Sequence, residues 1–438
     1  MLTREENELL MRVEGDAPMG QMMRRYWIPA MKSSEIAESG GAPQRLKILG
    51  EDLVAFRDSS GRAGIMDEYC PHRRASLVLA RNENNALQCL YHGWRIDVNG
   101  NIVETPCEPD DSDFKNKIKH IAYPTRELGG MVFVYMGPPG TEPALPEFPW
   151  TSVPETHRVI IKMRTEANWA QCLEGVLDSS HSNFLHSSEI IPGQEESQLG
   201  GTSREVKDDK ILIRRPSNDG RPRLEAQNTN YGFRYAAIRK PINDPDKYHY
   251  IRVTLFIAPF YGMFPAPDGL AYIQAFVPMD DHHTMFFWFQ CSFREPMDPE
   301  LAYARSGART GIDLNPDYSK VRTRENNWLQ DREAMKVNTF SGIYGVQTQD
   351  MAVQEGMGFL CDRAGEHLGA SDVAVIRMRR LMLDSARHFR QGGTPLGLDG
   401  DIPYSHLRAE ERIIPLDQPW ETVGAFAGEP KEPVDARV

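Results

Sequence analysis

The sequence has no long apolar run. Nothing in its 438 residues approaches the roughly 18 consecutive apolar positions that cross a bilayer, so no membrane span is expected. The opening Met1-Leu-Thr-Arg-Glu-Glu-Asn7 is acidic and lacks the apolar core of a secretory signal, so none is expected there either. Basic charge is not in excess: 50 Lys and Arg stand against 62 Asp and Glu, a formal net charge of −12. That disfavours nucleic acid as a partner, because no basic stripe is present to neutralise phosphates. Cysteine is scarce, with six in the chain, and Cys107, Cys172, Cys291 and Cys361 are isolated and widely spaced. A disulfide framework is therefore not expected; reduced thiols in a cytoplasmic protein are. No G-x-G-x-x-G opens a strand–helix–strand unit, which excludes a Rossmann-type dinucleotide site. There is no internal repeat.

What is present is ordinary globular composition, 40% hydrophobic and 26% charged, in a chain longer than one domain. Thr3 and Glu6 form a capping box, followed by Leu9, Leu10 and Val13 at helical spacing, so residues 1–25 are read as an N-terminal helical segment. Short strands separated by turns follow, at 45–49, 53–56, 64–66 and 131–135, which makes 26–140 a small all-β domain. A Pro-rich stretch marks a linker at 141–155, and 156–438 is the second domain. That domain opens with a strand at 159–163 and a helix from about Asn168. A polar stretch, 192–209, is read as a mobile loop. Strands at 211–215, 231–239, 250–258, 272–277 and 285–293 suggest an antiparallel meander. Ser371 is placed to cap a helix carrying Val375, Met378, Met382, Ala386 and Phe389 on one stripe, stopped at Gly392-Gly393. A loosely ordered tail is expected from Glu429. The class is α+β: an all-β domain, then an antiparallel sheet with a long C-terminal helix.

Two knuckles stand out. Cys70-Pro-His72 and Cys89-Leu-Tyr-His92 are separated by sixteen residues, and each supplies one thiolate and one imidazole. Cys70 and Cys89 on one iron, with His72 and His92 on the other, is the ligation of a Rieske [2Fe–2S] cluster. A Cys2His2 zinc site uses the same residue types, but zinc knuckles pair their Cys at C-x2-4-C.

A second constellation lies at Glu174, Asp178, His181 and His186. The first three stand at i, i+4 and i+7, which would put them on one face of a helix. Leu173, Val176, Leu177, Phe184 and Leu185 surround them, so a buried stripe needing a compensating charge is expected rather than a solvated face. His186 falls off that stripe; a bulge or break in the helix is required to bring both imidazoles together. Two His and one carboxylate with open positions form the facial triad of non-haem iron(II) oxygenases. Asp331, Asp350, Glu355 and Asp362 are the downstream candidates for the third ligand.

Glu-x3-Asp-x2-His-x4-His, downstream of the Cys70–His92 knuckles, resembles the Rieske ring-hydroxylating oxygenases. The knuckles carry Ala75 and Tyr91 where respiratory Rieske proteins have disulfide cysteines. Met66-Asp-Glu-Tyr-Cys-Pro-His-Arg-Arg74, Tyr231-Gly-Phe-Arg-Tyr-Ala-Ala237 and Gln330-Asp-Arg-Glu-Ala-Met-Lys336 are similar to the phthalate dioxygenase branch. The resemblance implies a terminal oxygenase α-subunit with a Rieske domain, a helix-grip catalytic domain, a [2Fe–2S] cluster and a mononuclear Fe(II). It implies Asp350 as the third ligand, with Glu355 in reserve. It also implies a separate NADH-dependent flavin and iron–sulfur reductase, and a homotrimer or hexamer of stacked trimers. In that assembly Asp178 would bridge the neighbour's His92 to His181.

The substrate is argued from charge. An aromatic carboxylate needs cations in an apolar pocket, and Arg supplies a bidentate fork. Arg214, Arg215, Arg234, Arg239 and Arg252 lie on the meander, and the resemblance selects Arg215 and Arg252 as carboxylate clamps. Tyr250, Arg252 and Thr254 share a polar face, read as the pocket side, with the long helix against the apolar face of Ile251, Val253 and Leu255. With these arginines, the resemblance implies O2 insertion into phthalate, isophthalate or a related benzoate to give a cis-dihydrodiol. The alternatives are a Rieske monooxygenase such as an aryl-ether O-demethylase, an electron carrier, and a helix-grip binder of apolar molecules. The first leaves the same iron ligands in place. The carrier leaves the second domain unexplained, and the binder leaves the cluster unexplained.

Overall fold

Thr3 and Glu6 close the capping box that their spacing predicts. The Glu6 amide donates to Thr3 Oγ1 at 3.1 Å and the Thr3 amide to Glu6 Oε2 at 3.2 Å, which starts α1 (Arg4–Met11). The structure, a computed structural model, describes residues 2–193, 203–207, 210–267 and 269–424. The chain forms two units: Val13–Glu147 with Pro278–Asp281, and Met1–Arg12 with Phe148–Val277 and His282–Val438.

The smaller unit begins with α2 (Pro18–Met23) and holds three antiparallel sheets. One is β1 (Trp27–Lys32), β11 (Met131–Tyr135) and β10 (Thr125–Leu128), with β11 central. β11 reads Met-Val-Phe-Val-Tyr and is buried throughout, as a β-branched and aromatic run in a central strand should be. The second is β2 (Gln44–Ile48), β3 (Glu51–Arg57), β4 (Ala63–Asp67) and β9 (Ala122–Tyr123). Leu49 and Gly50, both at positive φ (50° and 83°), make the two-residue turn between β2 and β3. The third is β5 (Arg81–Glu83), β6 (Ala86–Gln88), β7 (Arg95–Asp97) and β8 (Ile102–Glu104). Val54, Phe56, Met66, Leu77, Leu87, Trp94 and Ile96 form a core that includes Cys70 and Cys89.

The larger unit is built on an eight-stranded antiparallel sheet. Its path runs β12 (Arg158–Thr165), β21 (Thr284–Ser292), β20 (Leu270–Pro278), β19 (Tyr261–Phe264), β18 (Tyr248–Ile257), β17 (Gly232–Arg239) and β16 (Arg223–Thr229). Four of the five expected meander strands are there, together with two strands the sequence did not predict, β16 and β19; the fifth, 211–215, belongs to a separate side sheet, so Arg214 and Arg215 do not lie on the meander. On β18, β19 covers Leu255–Ile257 at one end of the strand. The rest of that edge, Tyr248–Arg252, is taken by a third unpredicted strand, β22 (Glu411–Pro415). A side sheet holds β13 (Ile190–Pro192), β15 (Lys210–Arg215) and β14 (Ser203–Lys207). The expected mobile stretch 192–209 thus includes a strand at Ser203–Lys207, and the rest of it from 194 lies outside the described residues, as does the tail from Glu429.

Helices α3 (Pro149–Ser152), α4 (Trp169–Leu177), α5 (Pro299–Ser306), α6 (Ala334–Val337), α7 (Val346–Gly356) and α8 (Val373–Arg390) complete the unit. Phe148 and Trp150, inside the stretch read as linker, are fully buried, and Trp150 stacks on Phe289 at 3.9 Å. Two expectations for α8 are corrected. Ser371 is not its cap: Asp372 holds that position, and its Oδ2 accepts from the Gly369 amide at 2.7 Å. Nor does α8 lie against the Ile251, Val253 and Leu255 face. Arg377 of α8 donates to Asn228 of β16 at 2.8 Å, and Asn228 pairs with Phe233, on the same face as Tyr235, Arg252 and Thr254. The opposite face carries Arg234, which donates to the Glu421 carbonyl at 2.8 Å and lies over Trp420. Every residue of β17 is buried, so alternation of polarity could not tell which face the helix covers. No helix among the described residues is long and apolar enough to cross a membrane.

Candidate metal centres and the adjoining cavity

The two knuckles of the smaller unit repeat one backbone design. In each, the Cys amide donates to the carbonyl five residues on: Cys70 to Ala75 at 2.9 Å, and Cys89 to Trp94 at 2.8 Å. In each, the amide four residues on donates back, from Arg74 and Gly93, both at positive φ (57° and 74°). Both Cys are buried and both His are partly exposed. The His72 and His92 rings lie 4.4 Å apart, and His72 stacks flat on Trp94 at 4.8 Å. Burial, with Cys89 beside it, pushes the Cys70 thiol up to about 11, the state that coordination to a metal reverses. Among the described residues the four do not form a group whose ligand atoms all lie within 4.8 Å of one another. Ligands shared between two irons satisfy that spacing; a single tetrahedral zinc does not.

In the larger unit, Asn168 caps α4 through its Oδ1, which accepts from the Ala170 amide at 3.1 Å. The helix ends at Leu177, so Glu174, Asp178 and His181 do not share the single helical face that their spacing predicts. The break has a local cause. Asp178 Oδ1 accepts from the amides of Ser180 (2.7 Å) and His181 (3.4 Å), a side-chain turn that competes with helix continuation. A 3-10 turn, His181–Asn183, follows, and it brings His181 and His186 to ring centroids 5.1 Å apart. Asp350 on α7 joins them, with Oδ1 3.5 Å from His181 Nε2 and 3.0 Å from His186 Nε2. The three offer ligand atoms all within 4.8 Å of one another.

Gln349, unnoticed in the sequence, fixes the tautomer of His186. Its Nε2 donates to Glu189 Oε1 (2.9 Å) and the Ile343 carbonyl (2.8 Å), leaving Oε1 to accept from His186 Nδ1 at 2.7 Å. The Nε2 lone pair of a neutral His186 is thereby turned toward a carboxylate oxygen at 3.0 Å, an arrangement that a cation between them stabilises. Asp178 Oδ2 stands 3.7 Å from His181 Nδ1 on the other side. Burial alone would raise the Asp178 carboxyl; the His181 ring and the two amides outweigh it and hold it below the ordinary range.

The other acidic candidates have different partners. Glu355 is buried against Lys320 and accepts from Trp328 Nε1 (2.7 Å) and the Glu166 amide (2.9 Å). Glu174 is clasped by Arg363 (3.0 Å) and Arg379 (2.8 Å), tying α4 to α8. Asp331 and Asp362 accept from amides two residues on, at 3.0 and 3.1 Å, and serve as local caps.

A cavity of about 1050 Å³, counting its open mouth, adjoins the triad. Apolar walls come from Phe264, Phe276, Phe286, Trp288 and Met351, with Arg215, Arg252, Tyr235 and Thr254 among its polar groups. Arg215 donates to Asn183 Oδ1 (2.7 Å) and Ser182 Oγ (3.1 Å), both neutral. Burial, then repulsion by Arg252, pushes its guanidinium down to about 9. Arg239 is not in the wall: it donates to the Ser179 carbonyl at 3.0 Å and the Asp219 carbonyl at 3.1 Å.

Against known proteins, a Rieske [2Fe-2S] domain model matches residues 26–122, and a LigXa C-terminal domain like model matches residues 134–436. The phthalate 4,5-dioxygenase oxygenase subunit of Pseudomonas putida is 46% identical over 425 residues, 96% of this chain and 94% of its own length. The chain belongs to the Rieske ring-hydroxylating oxygenases. The 3-chlorobenzoate-3,4-dioxygenase oxygenase subunit of Comamonas testosteroni is 36% identical, over 96% of this chain and 98% of its own. Among solved structures, NdmA of Pseudomonas putida CBB5, as its QL mutant with theobromine, matches 88% of this chain and 99% of its own with a TM-score of 0.60. At 18% identity that likeness concerns the fold.

A Rieske oxygenase carries a [2Fe–2S] cluster and a mononuclear non-haem iron, and it works with O2 and a separate reductase. The residues present fit both groups: two buried Cys with two partly exposed His whose rings lie 4.4 Å apart, and two imidazoles and a carboxylate that converge. Reduction with dithionite is expected to produce a Rieske-type electron paramagnetic resonance signal. His92→Cys should shift the potential to more negative values by replacing a neutral ligand with an anionic one. A colourless protein containing only zinc would overturn that ligation.

Proposed function

We propose that this oxygenase inserts both atoms of O2 into an aromatic dicarboxylate of the phthalate type, giving a cis-dihydrodiol at the expense of two electrons and two protons. One observation carries the substrate class: Arg215 lines the cavity beside His181 and His186, buried and bonded to neutral acceptors. A cation in that setting is completed by a carboxylate, which its planar fork grips at two points. Arg252, also in the wall, supplies the second contact.

In this reading Cys70, His72, Cys89 and His92 hold the cluster, and His181, His186 and Asp350 hold the iron. Bound there, the iron supplies the open coordination positions at which O2 is activated. The protein's own groups orient the reaction. Gln349 keeps His186 in one tautomer, the arginines hold the ring by its carboxylates, and the aromatic walls exclude water. Asp178 joins His181 to the cluster of a neighbouring copy, in a trimer or a pair of stacked trimers.

The test is substrate-stimulated O2 uptake over a panel of benzoates with product identification. Phthalate or isophthalate should stimulate uptake and yield a dihydrodiol; formaldehyde from methoxybenzoates in its place would select the O-demethylase reading. Loss of a charge-assisted pair is typically worth about 1.5–3 kcal/mol, so Arg215→Ala and Arg252→Ala should each weaken dicarboxylate binding roughly ten- to a hundredfold. Benzoate should feel one substitution strongly and the other weakly. Equal, small effects on every ligand would put the carboxylate site elsewhere.

A further inference from the structure

Three arginines come together at the cavity: Arg215 on β15 and Arg252 on β18 line its wall, and Arg239 on β17, outside the wall, stands diagonally across from Arg252 in the strand register. Arg215 and Arg239 are 3% and 1% exposed, and Arg252 disfavours the charged form of both. Like charges buried together are costly unless something balances them. Of the three, Arg252 is the one that touches a carboxylate among the described residues. Glu411 on β22 stands directly across from it in the strand register, with Oε2 3.4 Å from Arg252 Nη1. Tyr250 Oη donates to the same oxygen at 2.6 Å and fixes the carboxylate in place. Arg239 has carbonyl oxygens and a hydroxyl as acceptors. The Asp219 carboxylate acts on Arg239 from further off, its oxygens accepting from the amides of Arg221 and Lys240. Arg215 Nε and Arg239 Nη1 are buried with no hydrogen-bond partner among the described residues.

We propose that Glu411 is a specificity-determining residue that sets how much anionic charge the cavity accepts. It balances one of the three guanidinium charges, so the cluster keeps two in excess for a dicarboxylate held at Arg215 and Arg252 to meet. Glu411 sits behind Arg252 and outside the cavity wall, so it acts on the ligand through the charge and position of that arginine. This rests on the aromatic-carboxylate reading above. It adds that discrimination between dianion and monoanion depends on a residue of the C-terminal strand.

The test is calorimetric titration of the anaerobic holoenzyme, without reductase, using phthalate, benzoate and uncharged dimethyl phthalate. E411Q keeps the acceptor for Tyr250 and removes the charge, so the phthalate-to-benzoate affinity ratio should rise about tenfold. R239M removes one cation and should move the ratio about tenfold the other way. Opposite movements support the inference. A ratio unchanged within about twofold in both variants, or moved in the same direction by both, overturns it. Should E411Q fail to fold, Y250F, which releases the Glu411 carboxylate from its hydrogen bond, takes its place and should move the ratio in the same direction. If wild-type protein binds dimethyl phthalate as tightly as phthalate, the carboxylate reading itself fails. If wild type prefers phthalate and the variants leave the ratio alone, only the role of Glu411 is lost.

Discussion

Replacing His181, His186 or Asp350 by Ala removes the mononuclear iron and takes substrate-dependent O2 uptake below detection, while the cluster's visible spectrum stays. The expectation follows from geometry: three ligand atoms within 4.8 Å, contributed by two segments of the larger unit. A facial triad has no spare protein ligand, so loss of any one leaves the metal two contacts. The cluster ligands lie in the other unit and are untouched. Iron quantitation after desalting, read beside the cluster absorbance, measures both at once: three irons per chain falling to two. Glu355→Ala is the control. It removes the carboxylate from buried Lys320 and from Trp328, so it should cost about 3–5 kcal/mol of stability without emptying the iron site. Iron retained in Asp350→Ala and lost in Glu355→Ala would reverse the assignment.

Asp178→Asn is the second large effect, and it tests mechanism. Asn is nearly isosteric, and its Oδ1 can still accept from the Ser180 and His181 amides, so the turn that ends α4 should persist. Both metals should remain. What disappears is a negative charge facing His181 Nδ1 from 3.7 Å, and with it the second acceptor oxygen needed by the bridge we propose to a neighbouring copy's His92. Cluster reduction by the reductase is expected to stay fast. Reoxidation of the prereduced cluster by O2 and substrate should slow by about a hundredfold or more. Stopped-flow absorbance follows that step directly. A metal-replete Asp178→Asn protein that reoxidises at the wild-type rate would remove Asp178 from the electron path.

Much of this was legible in the residues because metal ligation draws on very few side-chain types. Two Cys-plus-His knuckles announce their chemistry through local spacing, and the Glu-x3-Asp-x2-His-x4-His run through its resemblance to a known family. The capping box at Thr3, the meander strands and the stripe on α8 were readable for the same reason: each depends on neighbours a few positions away. The helix break was harder to see. Apolar spacing through Val176 and Leu177 argues for continuation, and the only sign against it is Asp178-Ser-Ser, a side chain positioned to capture the next amides.

By itself, then, the sequence determined which residues could hold iron and that the second domain is a sheet with a long C-terminal helix. Only the tertiary structure decided the rest. It put α8 on the cavity face of a sheet in which β17 is buried on both sides. It chose between Asp350 and Glu355 at the triad by giving Glu355 to Lys320 and Trp328. It set Gln349 behind His186, and it brought Glu411, on a strand the sequence did not announce, against Arg252. The physical reason is the same in each case. A charge or a lone pair takes its meaning from the group a few ångströms away, and in a sheet built by non-local pairing that group is chosen by strand order, not by sequence distance.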